Sequence, residues 1–225
     1  MIQGEISQRY PEEQAATKET EADRPNTRSV TAEIGDAAGA EARRAETAAE
    51  RLRNLDGLKE DKWKSMDVTQ RAWVLNAAGK ELAKVYDQPP PPLMVKDLES
   101  PAELGAYGDG QTRDFRTGTV EGADYGITMN ARGEIRNENL FGDDPRTALH
   151  TYAHEYRHSY QWEQARRVEM PQFTNLVDDP KQAGEWRENL RNYTQPEAGY
   201  DAYFSQTVEA DARRFADEIV SRVFR

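Results

Sequence analysis

The chain has 225 residues, a formal net charge of −11 and no cysteine. The negative charge argues against nucleic acid or an anionic membrane surface as the main partner. Without cysteine the fold has no disulfide and no thiolate metal ligand. Because 36% of the residues are hydrophobic while 32% are charged, we expect part of the chain to lack an apolar core.

Residues 1–56 are predicted to form a polar N-terminal segment that is largely disordered or marginally helical. The first part, to about residue 29, shows no apolar periodicity. The Ala/Glu/Arg-rich stretch that follows, residues 29–53, has a high helix propensity but few large apolar side chains. Two interpretations of this stretch stay open: a solvated marginal helix or linker, and a helix that is stabilised by docking on the folded domain.

No targeting or membrane-spanning segment is predicted. The residues from Met1 to Glu5 lack the basic and apolar regions of a Sec signal. No apolar run approaches the ~20 residues that a membrane span needs. We therefore expect synthesis in the cytoplasm without Sec export, and no membrane insertion.

Residues 57–225 are predicted to form the folded domain. Helical periodicity begins near Ser65 and continues to about Tyr86, where four prolines end it. Short strands are predicted at residues 93–95 and 104–107, and an alternating strand at residues 125–130. Three helices complete the prediction, at residues 146–167, 181–191 and 198–224.

The sequence His154-Glu155-Tyr156-Arg157-His158 is an HExxH motif, the two-histidine zinc motif of metallopeptidases. On a helix, residues four apart share a face, so both imidazoles can bind one Zn²⁺ at ~2.0–2.1 Å. Glu155 lies about 100° round the helix, where it can act as the general base without binding the metal. The alternative is a solvated helix with an accidental histidine pair. The motif favours a catalytic zinc site.

The third ligand is predicted to be a carboxylate. The remaining histidine, His150, shares the face of the other two, but three successive turns of a straight helix cannot easily converge on one ion. Gln161 and Gln164 stand where HExxHxxGxxH has glycine and histidine, so that pattern fails. Glu209 is the best candidate, because it shares a helix face with alanines that permit a close approach. The alternative for Glu209 is a solvated surface residue.

The pattern HExRHxxQ followed by Tyr203, Gln206, Glu209 and Asp211-Ala212 resembles the minigluzincin-type metallopeptidase domains of bacterial polymorphic toxins and secreted effectors. The resemblance covers roughly residues 60–222. It departs from the larger gluzincins, which carry aspartate four residues after the ligand glutamate, where this chain has Arg213. The implied fold is α+β and zincin-like, with a small, mostly antiparallel sheet packed on the HExxH helix and on a long C-terminal helix that bears the ligand.

The predicted chemistry is hydrolysis of a peptide bond with Zn²⁺ as the cofactor. Glu155 is the expected base, and a tyrosine or histidine is expected to donate a hydrogen bond to the oxyanion. Other side chains are expected to orient the ligands, and the strand at residues 125–130 is expected to be the sheet edge on which an extended substrate lies. The oxyanion candidates are Tyr203, Tyr200 and His150; the orienting candidates are Gln161 and Asp211; the residues of the edge strand are Tyr125, Ile127 and Met129.

Three functions are compatible with these residues. The first is a zinc endopeptidase that acts as a bacterial toxin or effector, exported by a dedicated secretion system and delivered into another cell. The second is an intracellular regulatory or housekeeping peptidase, and the third is a non-catalytic binding module stabilised by zinc. The expected partners are a protein or peptide substrate and, through the N-terminal segment, a delivery apparatus or an immunity protein.

Overall fold

The computed structural model describes residues 27–96, 104–109, 112–113, 120–121, 125–130 and 142–225. Residues 37–225 form one compact unit, and the other unit, residues 1–36, contains the beginning of the first helix. Helices predominate, and the chain is α+β as the sequence predicts. The elements are α1 (Thr27–Arg53), α2 (Glu60–Lys64), α3 (Val68–Tyr86), β1 (Leu93–Lys96), β2 (Gly105–Asp109), β3 (Thr112–Arg113), β4 (Val120–Glu121), β5 (Tyr125–Asn130), α4 (Pro145–Glu169), α5 (Pro180–Arg191), α6 (Tyr200–Phe204) and α7 (Thr207–Val223).

The main sheet has three strands in the order β1-β5-β2. Strand β5 runs parallel to β1, with Leu93 opposite Ile127, and antiparallel to β2, with Gly105 opposite Met129. Strands β3 and β4 form a separate antiparallel pair. The sheet is therefore mixed, which corrects the prediction of a mostly antiparallel one. The parallel pairing was missed because it depends on the path of the chain between the strands.

The strand predicted as the substrate edge is the central strand of the sheet. Both sides of β5 are already paired with neighbouring strands, so its backbone has no row of unpaired groups left for a peptide. Ile127 and Met129 are fully buried in the core, and the side chain of Tyr125 lies outside the described residues. The assignment of an edge to these three residues was wrong.

The four prolines that follow α3 lead the chain into β1, which lies beside β5. Pro92 O accepts a hydrogen bond from Ile127 N at 2.8 Å. Gly126 stands beside this contact with φ +133°, and a Cβ there would lie 2.4 Å from Pro92 O. Glycine adopts such a backbone at no steric cost, so this approach of the proline segment to β5 requires it.

Helix α4 is the centre of the unit and packs against α3, α5, α7 and the sheet. Its buried tyrosines Tyr152 and Tyr156 fill the core. Helix α7 presents fully buried Ala212 and Ala216 among larger apolar residues. Small side chains let two helix backbones approach closely, which brings α7 near the histidine face of α4. Among the described residues, no helix is both long and apolar enough to cross a bilayer.

The second half of α1 is docked on the core. Ala45, Ala48, Ala49 and Leu52 recur at helical spacing, and each has 0% exposure. Of the two interpretations left open for residues 29–53, the structure thus shows docking for this half. The predicted domain boundary at residue 57 lies inside the compact unit. The stripe is mostly alanine, so its burial was not evident from hydrophobicity.

The predicted final helix, residues 198–224, is broken into α6 and α7. The break is at Gln206, whose φ of −58° and ψ of 145° are not helical. Its side chain accepts a hydrogen bond from Thr194 N at 2.8 Å and donates to Thr194 O at 2.9 Å. These bonds tie the junction to the preceding loop. Residues 200–223 contain no glycine or proline, so no helix-breaking residue marks this junction.

Candidate metal centre

The start of α4 is fixed by its cap. Pro145 occupies the first turn, and the Asp144 side chain accepts a hydrogen bond from Arg146 N at 2.9 Å. Proline suits this position, because it has no backbone N–H that would need a partner in the first turn. The helix then continues through His154 and His158, which project from one face with ring centroids 4.7 Å apart.

His154, His158 and Glu209 form one group of candidate metal ligands. Their ligating atoms all lie within 4.8 Å of one another. The Nε2 atoms of the two histidines are 3.0 Å apart, and Glu209 oxygens lie 3.3 Å from His154 Nε2 and 3.4 Å from His158 Nε2. In a tetrahedral zinc site with bonds of ~2.0–2.1 Å, neighbouring ligand atoms are about 3.3–3.4 Å apart. The group could therefore hold a metal ion.

Glu209 is buried, at 1% exposure, and its two oxygens have different environments. Oε1 accepts a hydrogen bond from the Tyr193 hydroxyl at 2.6 Å. Oε2 is buried and has no hydrogen-bond partner among the described residues. Burial raises the pKa of Glu209, but close contact with His154, His158 and Tyr193 outweighs burial and keeps that pKa well below its ordinary value. A charged, buried carboxylate with one oxygen that accepts no hydrogen bond and faces His154 fits a metal ligand.

Gln161 fixes which nitrogen of His158 can bind a metal. Its amide nitrogen donates to Val208 O at 2.9 Å and to Asp211 Oδ2 at 2.8 Å. Both partners are acceptors, so the amide oxygen of Gln161 must be the atom that lies 2.9 Å from His158 Nδ1. Nδ1 therefore carries a proton, and in the neutral ring Nε2 offers its lone pair to the cluster. Gln161 and Asp211 thus lie where orienting side chains were expected.

Glu155 lies between α4 and β2. It is 7% exposed, and a Cβ on Gly105 of β2 would come within 3.3 Å of Glu155 Cγ. Burial raises the pKa of the Tyr203 hydroxyl, and the negative charges of Glu209 and Glu155 raise it further. The hydroxyl therefore stays protonated at neutral pH and can donate a hydrogen bond.

Two of the predicted site residues lie apart from the cluster. His150 Nε2 contacts Asp217 Oδ1 at 3.0 Å, two helical turns beyond Glu209 on α7. Tyr200 is 65% exposed, and its ring stacks on Phe204 with centroids 5.8 Å apart. The oxyanion role proposed for His150 and Tyr200 is not supported by these positions. Among the three candidates, Tyr203 is the one whose hydroxyl has its pKa raised by the charges of Glu209 and Glu155.

Two residues at the site were missed by sequence analysis. Tyr193 lies in the loop between α5 and α6, and no periodicity or motif links it to Glu209. Arg157 stands inside the motif and is 3% exposed, where it binds Asp211 at 2.8 Å. An arginine on a motif helix is usually solvated, although its position between the two histidines was a usable signal.

Comparison with protein-family models, with curated proteins and with solved structures finds no match to this chain.

Proposed function

We propose that the protein is a zinc-dependent endopeptidase. The observation that carries the proposal is the convergence of His154, His158 and Glu209 within 4.8 Å, with Glu155 next to one of the histidines in sequence. Two imidazoles and a carboxylate are a common ligand set for catalytic zinc in peptidases, which leaves a position for water or substrate. The resemblance of the HExRHxxQ and distal Glu209-x-Asp211 patterns to minigluzincin-type domains supports the same assignment.

Each side chain of the site has a separate role in the proposed hydrolysis. Zinc bound by the three ligands would supply Lewis-acid activation of a carbonyl and a water molecule. Glu155 takes up a proton from the attacking water and delivers it to the leaving amine. Tyr203 remains protonated and donates a hydrogen bond to the oxygen that gains negative charge. Glu155 thus accepts the proton, and Tyr203 stabilises the negative charge on the oxygen.

The substrate is proposed to bind along β2 rather than β5. In the described part of the chain, β2 stands at one end of the strand order β1-β5-β2. Gly105 brings this strand against Thr151 and Glu155 of α4. An extended peptide added to β2 would therefore pass beside the general base.

The test compares Glu155→Gln with Glu163→Gln. Glu163 is on the same helix but forms surface ion pairs with Arg166 and Arg167. Each protein, loaded with zinc, is incubated with a cell lysate, and new N-termini are counted by mass spectrometry. We expect wild type and Glu163→Gln to generate the same set of cleavages, and Glu155→Gln to lose them by at least about 100-fold while it still binds zinc.

Two outcomes would overturn the assignment. Cleavages that persist in Glu155→Gln show that this carboxylate is not the base. A wild-type protein that binds zinc but creates no new N-termini favours the non-catalytic binding module instead.

The role as a delivered bacterial toxin is a separate proposal, supported by the same sequence resemblance. Its test is expression in a heterologous bacterial cytosol with growth as the readout. We expect wild type to arrest growth and Glu155→Gln to be tolerated at equal protein levels. Equal growth with both proteins favours an intracellular regulatory or housekeeping peptidase.

A further inference from the structure

A buried arginine joins three helices behind the metal centre. Arg157 is 3% exposed, and its guanidinium lies 4.8–5.2 Å from the ring centroids of Tyr160, Trp186 and Phe215. Two carboxylates, one on α7 and one on α1, form ion pairs with the Arg157 guanidinium. Arg157 Nε donates to Asp211 Oδ2 on α7 at 2.8 Å, and Nη1 donates to Glu41 Oε1 on α1 at 2.9 Å.

The arginine is connected to a metal ligand through two side chains. Asp211 Oδ2 accepts from both Arg157 Nε and Gln161 Nε2, each at 2.8 Å. Gln161 in turn accepts from His158 Nδ1 at 2.9 Å. Asp211 and Val208 O together hold the Gln161 amide in this orientation. The Asp211 carboxylate is in turn bound by the exposed Arg214 and by the buried Arg157. Arg157 contacts both oxygens of the carboxylate, and its planar guanidinium matches a carboxylate in one geometry.

Fold stability alone is a weak explanation for this arrangement. Desolvation of a buried ion pair costs nearly as much as the attraction returns, and apolar replacements of such pairs are often equally stable. A buried polar network is useful where one orientation of a functional group has to be selected. Here the network ends at His158, one of the three candidate ligands.

We propose that Arg157 is a positioning residue that sets the metal affinity of His158 through Asp211 and Gln161, and that Glu41 makes the docked helix α1 a part of this restraint. The inference rests on the proposed metal site. Glu41 reaches the network because the alanine stripe of α1 lies in the core. The N-terminal helix therefore contributes to the metal centre although it contains none of its ligands. Loosening of α1 weakens metal binding.

The test measures zinc affinity by competition with a chromophoric chelator, and the visible absorption of the Co²⁺ form. Arg157→Lys keeps the charge but lacks the planar guanidinium. We expect it to raise the zinc Kd about 10- to 100-fold, as loss of an orienting partner does, and to change the Co²⁺ spectrum. Glu41→Gln, one residue further from the ligand, should raise the Kd by about 3- to 10-fold.

Two controls separate positioning from general stability. Glu46→Gln removes another α1 carboxylate, which pairs with Arg222 and Arg53 and does not contact the network. Leu75→Ala removes a fully buried core side chain of α3. We expect Leu75→Ala to lower the Tm, Glu46→Gln to lower it little, and both to keep the wild-type zinc Kd and Co²⁺ spectrum.

The possible failures are distinguishable. If wild type binds zinc and both Arg157→Lys and Glu41→Gln bind it equally well, the positioning role is wrong while the metal site stands. If Leu75→Ala weakens zinc binding as much as Arg157→Lys, the effect is one of stability and the positioning role is again wrong. If wild type itself binds no zinc or Co²⁺, the proposed metallopeptidase function fails, and this proposal fails with it.

Discussion

Tyr193 donates a hydrogen bond of 2.6 Å to Oε1 of Glu209, while Oε2 of the same carboxylate has no hydrogen-bond partner among the described residues. The tyrosine thus restrains the carboxylate and leaves one oxygen available on the side of His154, 3.3 Å from its Nε2. Such a restraint favours single-oxygen ligation and lowers the entropy that is lost when a metal binds.

Removal of the Tyr193 hydroxyl should weaken metal binding. We expect Tyr193→Phe to raise the zinc Kd about 10- to 100-fold, because the Glu209 carboxylate loses its orienting donor. Tyr200→Phe removes an exposed hydroxyl on α6 and is the matched control, with no expected change. Isothermal titration with zinc measures both. A Tyr193→Phe protein with wild-type affinity would show that Glu209 is positioned without the hydrogen bond.

His150 should be dispensable for metal binding. Its Nε2 atom contacts Asp217 at the surface, so His150→Ala removes one exposed pair worth at most about 1 kcal/mol of stability. We expect the protein to bind one zinc with unchanged affinity, whereas His154→Ala should lose it. Metal analysis after dialysis makes the comparison. Loss of zinc from His150→Ala would mean that the third histidine reaches the metal.

The free energy of unfolding of the metal-free protein should depend on the protonation of His158. Burial lowers the pKa of His158, but contact with Glu209 and the charge of Glu155 outweigh burial and raise that pKa from 6.5 to about 9. A raised pKa stabilises the fold fully below pH 6.5, and this contribution is lost as the pH rises towards 9. The lowered pKa of Glu209 acts in the opposite direction, because its contribution is present above 4.5 and is lost in acid.

Metal should reverse the alkaline part of this dependence. A ligand histidine must be unprotonated, so zinc competes with the proton on His158 and binds more tightly as the pH rises from 6.5 towards 9. We expect the Tm of the metal-free protein to fall over this interval, and the increase in Tm caused by zinc to grow. Thermal unfolding with and without a chelator measures both. A zinc-induced increase that is independent of pH would contradict this account of His158.

A methyl group on Gly105 should impair catalysis more than folding. Its Cβ would lie 2.8 Å from Thr151 Cγ2 and 3.3 Å from Glu155 Cγ. Relief of this overlap requires β2 and α4 to separate slightly, at a cost of about 1–3 kcal/mol. We expect Gly105→Ala to lower kcat/KM at least about tenfold, because a small displacement of the base and the adjoining strand is costly. Gly184→Ala, where a Cβ meets nothing within 4 Å, is the control. Unchanged kcat/KM would place substrate and base away from β2.

Local sequence patterns predicted the parts of the site that depend on one helix at a time. The spacing of His154 and His158 gives their common face, and the alanines near Glu209 indicate a close helix contact. The Tyr193 contact depends on the path of a loop, which has no periodicity to read. The central position of β5 depends on which strands flank it, and alternation within a strand contains no such information.

The docking of α1 could not be predicted from the sequence for a different reason. Its buried stripe is made largely of alanines, which bury little apolar area each and give a weak hydrophobic signal. Its attachment instead depends on close backbone packing and on charges such as Glu41, which finds its partner Arg157 in a different helix. Polar residues that look solvated in isolation become structural when a partner is presented at the right place.

The ligands of the proposed metal centre come from helices α4 and α7, with roughly 50 residues of chain between His158 and Glu209. An ion held there would cross-link the two helices and close a loop that contains α5 and α6. In a chain without cysteine, such a cross-link takes the place of a disulfide, and closing a loop of this length restricts the unfolded chain by about 4 kcal/mol in the chain-entropy model. Unlike a disulfide, it can be removed by a chelator and is unaffected by a reducing cytosol.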